Sequence, residues 1–369
     1  MRIEAVELHQ IELPLKVPFE TSFGVMHKRQ LILAKVEAEG VYGWGEVSPL
    51  NEPLYNYETP ETAWHILQEY AIPQVLGKSV SHPSDLPALY KPIRGHNFAK
   101  AGLENAVWDA FARAQGVPLA KLLGGVRDRI DVGVSIGIQK SPEALVRVVE
   151  GFVEQGYKRM KVKIKPGRDL PDLTAVRRAF SDVLMMADAN SAYTLADIPT
   201  FQALDELNLM MYEQPLAWDD IVDHARLQAA VKTPVCLDES VHTPEDARKA
   251  LELGSCRIIN IKVGRVSGLT AAMEIHDLMR SKGLDVWCGG MFESGIGRAI
   301  NVHMTTLPGF TLPGDTSASD RYYHEDIVDE PAVLNSDGTL SVPTRPGIGV
   351  DVVPSLLKKY TTRSLSLRA

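Results

Sequence analysis

Five apolar stretches of this chain end in a charged residue at nearly even intervals, and that regularity restricts the possible folds more than any other feature. Met-Lys-Val-Lys closes on Lys163, Leu-Met-Met-Ala-Asp on Asp188 and Leu-Met-Met-Tyr-Glu on Glu213. Pro-Val-Cys-Leu-Asp closes on Asp238, and Ile-Ile-Asn-Ile-Lys on Lys262. Successive charges lie 25, 25, 25 and 24 residues apart, the length of one strand–helix unit. Eight strand candidates separated by helical stretches extend the pattern: Asp131–Ile136, Arg159–Ile164, Leu184–Ala189, Leu209–Glu213, Pro234–Asp238, Arg257–Val263, Asp285–Cys288 and Thr311–Pro313. Such alternation predicts a barrel of βα units, whose functional groups gather at the C-terminal ends of the strands. A doubly wound sheet would also alternate, but no G-x-G-x-x-G follows its first strand.

A charge at the end of one strand is usually a helix cap or a solvated rim residue. Asp188 and Asp238 could each cap the helix that follows. Capping does not explain why cations stand on the strands flanking three acids. Three converging carboxylates form a hard oxygen site that suits Mg²⁺, with Mn²⁺ or another divalent cation able to substitute. Lys161 and Lys163 lie two apart and face the same side of their strand. Lysine is a poor base at its ordinary pKa of about 10.4, so the pair is expected to lower one member. A metal would stabilise the second negative charge that develops as a carboxylate becomes an enediolate.

Ahead of the barrel the pattern is different. Ile3–Leu13 and Gln30–Glu39 alternate like hairpin strands, Tyr42–Val47 follows, and Pro60–Val75 and Ala99–Ala114 read as helices. An α+β domain over residues 1–125 is expected, then a barrel over 126–319, then a segment over 320–369 of loops and a short helix that returns to the first domain. The net charge of −8 argues against a nucleic-acid partner. No apolar run approaches the ~20 residues that span a bilayer. Three cysteines without zinc-like spacing fit a reduced cytoplasm.

The motifs resemble the enolase superfamily in its muconate-lactonising branch. They are Thr21-Ser-Phe-Gly24, Lys161-Val-Lys-Ile-Lys-Pro-Gly167, Ala187-Asp-Ala-Asn-Ser-Ala-Tyr-Thr194, Glu213-Gln-Pro-Leu216, Cys236-Leu-Asp-Glu-Ser240 and Trp287-Cys-Gly-Gly-Met-Phe-Glu-Ser-Gly-Ile-Gly-Arg298. With Leu312-Pro-Gly-Asp-Thr-Ser-Ala-Ser319 they are similar to the o-succinylbenzoate synthase/N-acylamino acid racemase family. The resemblance implies a (β/α)7β barrel under an N-terminal α+β capping domain, and a lyase of menaquinone biosynthesis with racemisation as the alternative activity. It implies Asp188, Glu213 and Asp238 as Mg²⁺ ligands, Lys163 and Lys262 as opposed acid/base groups, and Lys161 beside the substrate carboxylate. A non-catalytic barrel would be expected to lack one of these residues, and none is missing.

Further residues are expected around a small-molecule carboxylate substrate: Phe19, Ser22, Tyr55, Ser135, Asn190, Gly290, Met291 and Phe292. Glu239, Asn260 and Arg265 are expected behind them. Phe19–Gly24, with Phe19 and Phe23, is read either as a mobile lid or as a tight strand connection. The backbone of Gly289–Gly295 could hold a carboxylate or simply begin a helix. Asp315 is expected to be structural. A homo-oligomer is the expected assembly.

Overall fold

The computed structural model describes residues 1–22 and 24–369; Phe23 lies outside the described residues. Strands β1 (Ile3–Thr21), β2 (Gly24–Ala38) and β3 (Val41–Val47) form an antiparallel meander. Glu39 and Gly40 turn between β2 and β3 with φ of 51° and 81°, the left-handed pair that suits a two-residue hairpin. The β1/β2 hairpin is longer than the sequence suggested. After an irregularity between Pro14 and Phe19, pairing resumes through Phe19 with Met26 and Thr21 with Gly24. The prolines at 14 and 18 therefore mark a register shift, not the end of a strand. Helix Asn97–Ala114 lies against β3, and glycines allow the close approach: a Cβ on Gly45 would come within 2.0 Å of the Gly102 carbonyl oxygen. Ile3, Val6, Leu8, Ile32 and Val36 bury against Trp64, Phe98 and Leu103 to form this layer's core.

The strands of the second region follow. They are β4 (Arg129–Asp131), β5 (Val134–Ile136), β6 (Arg159–Lys163), β7 (Leu184–Asp188), β8 (Tyr212–Glu213), β9 (Val235–Leu237), β10 (Ile258–Ile261) and β11 (Val286–Cys288). Among the described residues, β5 to β11 form one seven-stranded parallel sheet in chain order. Two expectations need correction. Asp131–Ile136 is not one strand, because β4 leaves to pair with β12 (Thr339–Ser341). Thr311–Pro313 is not a strand either: Phe310 bridges Val286 and Gly314 bridges Val132, joining the sheet's two edges by single parallel bridges. Pro313 has no N–H to extend that ladder.

Side-chain alternation sets the barrel interior. Met186 lies two residues before Asp188, Met211 before Glu213 and Cys236 before Asp238, so each points the same way as its acid. With Ile258 and Trp287 they form a buried plug beneath the charges. The last strand, β13 (Thr361–Arg368), pairs antiparallel with β1 and gives the N-terminal sheet the order β13-β1-β2-β3. The sequence reading missed β13 because most of its side chains are exposed and polar. Among the described residues, no helix is long and apolar enough to cross a membrane.

Candidate active site

Lys163, Asp188 and Glu213 end β6, β7 and β8 and are direct neighbours in register, so their side chains leave the sheet at one level. Asp238 and Lys262 each follow the last residue of their strand, β9 and β10. All five side chains are buried. Lys163 Nζ donates to Asp188 Oδ2 and Asn190 Oδ1, each at 2.6 Å. Lys262 Nζ donates to Asp238 Oδ2 at 2.8 Å and to the Tyr55 hydroxyl at 3.1 Å. Lys161 Nζ lies 3.2 Å from Asp188, 3.0 Å from Glu213 and 2.5 Å from Asp315.

These contacts bias the charge states. Burial alone would raise Asp188, but the Lys163 and Lys161 ammonium groups outweigh it and hold that carboxyl well below its usual range. Burial and the Asp188 charge push Glu213 up. Burial pulls Lys161 down, yet Asp315, Glu213 and Asp188 together carry it well above the ordinary lysine value. Three carboxylates facing Lys161 thus outweigh both its burial and the neighbouring cation. Lys262 is also held high: its burial is offset by Tyr55, Glu213 and Glu239. Among the described residues, no three carboxylate, imidazole or thiol groups close into a ready metal cage. The ammonium groups lie on the carboxylate oxygens instead.

Above these groups is a cavity of about 330 Å³. Lys161, Lys163 and Lys262 form its floor, and the β1/β2 hairpin and residues 50–55 lie across it. Two family models match the chain, "Mandelate racemase / muconate lactonizing enzyme, N-terminal domain" over residues 3–124 and "Enolase C-terminal domain-like" over 144–356. The chain belongs to the enolase superfamily. It is 54% identical over 362 residues to an o-succinylbenzoate synthase of Geobacillus kaustophilus, covering 98% of this chain and 96% of that one. It is 50% identical to an N-succinylamino acid racemase of Thermus thermophilus, with 98% of each chain covered. A crystal structure of an enolase-superfamily member from Listeria innocua superposes with a TM-score of 0.97 at 41% identity, covering 100% of this chain and 99% of that one.

In this enolase-superfamily chain, Phe19, Tyr55, Ser135, Asn190, Gly290, Met291 and Phe292 all line the cavity. Ser22 does not; its hydroxyl donates to the Asn190 carbonyl at 3.4 Å, at the hairpin's end. Phe19 stays on its strand, buried, with its ring edge-on to Phe292 at 4.8 Å between centroids. Of the Phe19–Gly24 segment, the described residues Phe19, Thr21 and Gly24 line the cavity from the paired strand ends, and Phe23 lies outside the described residues. Asn260 donates to Glu213 Oε1 at 2.7 Å, and Asn190 donates to Glu239 Oε1 at 3.0 Å. Arg265 forms a close ion pair with Asp238 and donates to the Val241 carbonyl at 2.7 Å.

The Gly289–Gly295 turn does begin a helix, Gly295–Thr305, but its first N–H groups are already taken. Gly295 donates to Asp326 at 2.7 Å and Gly297 to Glu46 at 3.1 Å. Sequence reasoning missed Arg159, which pairs with the Asp315 that was expected to be structural. Arg159 NH1 donates to Asp315 Oδ1 at 2.8 Å, and Asp315 lines the cavity beside Lys161. The available signal was Arg159 itself, a charge two residues before Lys161 on the same inward face of β6.

Proposed function

We propose that the chain is an o-succinylbenzoate synthase, a Mg²⁺-dependent lyase that dehydrates 2-succinyl-6-hydroxy-2,4-cyclohexadiene-1-carboxylate to 2-succinylbenzoate in menaquinone biosynthesis. The observation that supports this reading is that Lys163 and Lys262 enter one cavity from either side of Asp188, Glu213 and Asp238. Relatives with that printed name span nearly the whole chain. The acids fit a divalent ion in their chemistry: they are an all-oxygen set, and the buried Glu213 Oε2 has no hydrogen-bond donor, only the Lys161 ammonium paired with it at 3.0 Å. Bound there, Mg²⁺ would supply positive charge against the second negative charge that develops on the substrate carboxylate.

Lys163 acts as the neutral amine, having given up the proton it shares with Asp188 in the ion pair, and takes the proton from the carbon beside that carboxylate. As an ammonium it then returns a proton to the departing hydroxyl on the same face, so the C–H and C–O bonds break and water leaves. Lys161 holds the carboxylate in place. Lys262 stands on the opposite face as a cation. In the alternative reaction, racemisation of N-succinylamino acids, Lys262 instead delivers a proton to that face; a relative named for this activity covers 98% of each chain. We assign residues 1–125 to the cap, 126–319 to the barrel and 320–369 to the returning segment, in a cytoplasmic homo-oligomer.

The test is to assay purified protein with Mg²⁺ on the cyclohexadiene substrate, and by NMR in D₂O on N-succinylamino acids. Dehydration is expected. Failure to dehydrate would overturn the synthase assignment, and absence of α-proton exchange would remove the racemase reading.

A further inference from the structure

The three lysines differ in their partners other than the acids assigned to the metal. Lys163 has the neutral Asn190 amide oxygen and Lys262 the neutral Tyr55 hydroxyl. Lys161 alone has another carboxylate, Asp315, at 2.5 Å. Asp315 is not free to follow a moving lysine. Its Oδ1 accepts from Arg159 NH1 at 2.8 Å, and its backbone N–H donates to the Cys288 carbonyl at 2.8 Å. Arg159 is itself anchored, donating through NH2 to the Pro313 carbonyl at 2.9 Å. A Cβ on Gly133 would come within 2.8 Å of the Arg159 guanidinium, so that glycine leaves the space the arginine fills. Lys161 meanwhile lies 3.0 and 3.2 Å from Glu213 and Asp188, on oxygens that a divalent ion would need.

We infer that Asp315 is a positioning residue that holds the Lys161 ammonium when a divalent cation takes Asp188 and Glu213, so that lysine and metal do not compete for the same oxygens. This inference rests on the assignment of those two acids as metal ligands. Without Asp315, a buried ammonium would have only those carboxylates to pair with, and a buried unpaired charge is costly. Lys161 would then act as an internal competitor of the metal.

The experiment is a double-mutant cycle read by calorimetric titration of MgCl₂ into wild type, Asp315→Asn, Lys161→Met and the double variant. Asp315→Asn is expected to weaken Mg²⁺ binding about tenfold or more, equivalent to about 1.4 kcal/mol. In the Lys161→Met background the same change is expected to alter affinity by no more than about twofold. An equal loss in both backgrounds would overturn the inference, because Asp315 would then act only through its own charge. No loss in either would overturn it as well. If wild type binds no Mg²⁺, the metal assignment itself falls, a result distinct from absent coupling. A crystal structure of the Mg²⁺-loaded wild type needs no variant to fold. Lys161 is expected within about 3 Å of Asp315 and away from Asp188 and Glu213; a Lys161 that has left Asp315 would contradict the inference.

Discussion

Among the described residues, the hydrogen-bond partners of Lys163 both come from the barrel, Asp188 and Asn190, with Glu239 behind Asn190. The Lys262 flank is built by two parts of the chain. Tyr55, from the N-terminal domain, donates to Asp238 at 2.9 Å and accepts from Lys262. Asn97 reaches the carbonyls of His242 and Arg265, each at 2.9 Å. Glu104 accepts from the Thr270 N–H at 3.1 Å, and Glu46 takes the first N–H groups of helix Gly295–Thr305. By contrast, the hairpin meets the Lys163 flank through Ser22 on Asn190 at 3.4 Å and Glu20 on Ile138 at 3.1 Å. Lys163 is thus held by side chains of the barrel, while Lys262 also takes a partner, Tyr55, from the N-terminal domain.

The largest expected break in that comparison is at Lys262. Lys262→Ala should lower α-proton exchange of the N-succinylamino acid enantiomer facing it by about 10²–10⁴-fold, the usual weight of a general acid–base group. Lys262→Arg, which keeps the cation, should retain measurable dehydration. Loss of dehydration with exchange retained would contradict the two-face account. Next is Arg265→Met. The variant leaves Asp238 short of a buried cation, and breaking such a pair costs about 3–5 kcal/mol. Denaturant titration should show that loss, and an unchanged midpoint would mean the pair contributes nothing net.

A smaller effect is expected at Tyr55. Tyr55→Phe removes the hydroxyl that joins the two domains at Lys262, and should slow exchange on that face about tenfold while sparing exchange on the Lys163 face, as a lost hydrogen bond to a charged group would do. Equal slowing on both faces would show a general disturbance of the cavity.

The smallest is a pH effect at Glu46. Burial raises its carboxyl from the ordinary 4.5 to about 8. The folded chain therefore holds a proton that the unfolded chain has lost between those values, so stability from this group is full below 4.5 and is lost as pH rises through about 8. Glu46→Gln should flatten the stability profile between pH 5 and 8, and an unchanged slope in denaturant titrations would exclude Glu46 as its source.

The barrel and the five charges on its rim could be read from the sequence because each is one inward position at the end of one apolar strand, and spacing alone preserves that information. The Lys262 flank could not be read in the same way. Glu46 and Ser294 meet across 248 residues, and nothing local to β3 marks its one acid as a helix cap for the barrel. The Asp315 contact was hidden for another reason: the segment that closes the barrel is joined only by single bridges, so no strand pattern announced which way Asp315 faces. The hairpin was read as too short because the alternation was followed only to Leu13, whereas pairing resumes at Phe19 beyond an irregularity after Pro14.

The central claim is proton removal beside a carboxylate by Lys163, opposite Lys262 and next to three acids. Single-turnover dehydration by Lys163→Ala, with Mg²⁺ binding and near-ultraviolet circular dichroism matched to wild type, tests it most directly. A fall of about 10³-fold or more is predicted for loss of the group that both removes the proton and assists the departing hydroxyl. Dehydration at close to the wild-type rate would contradict the account.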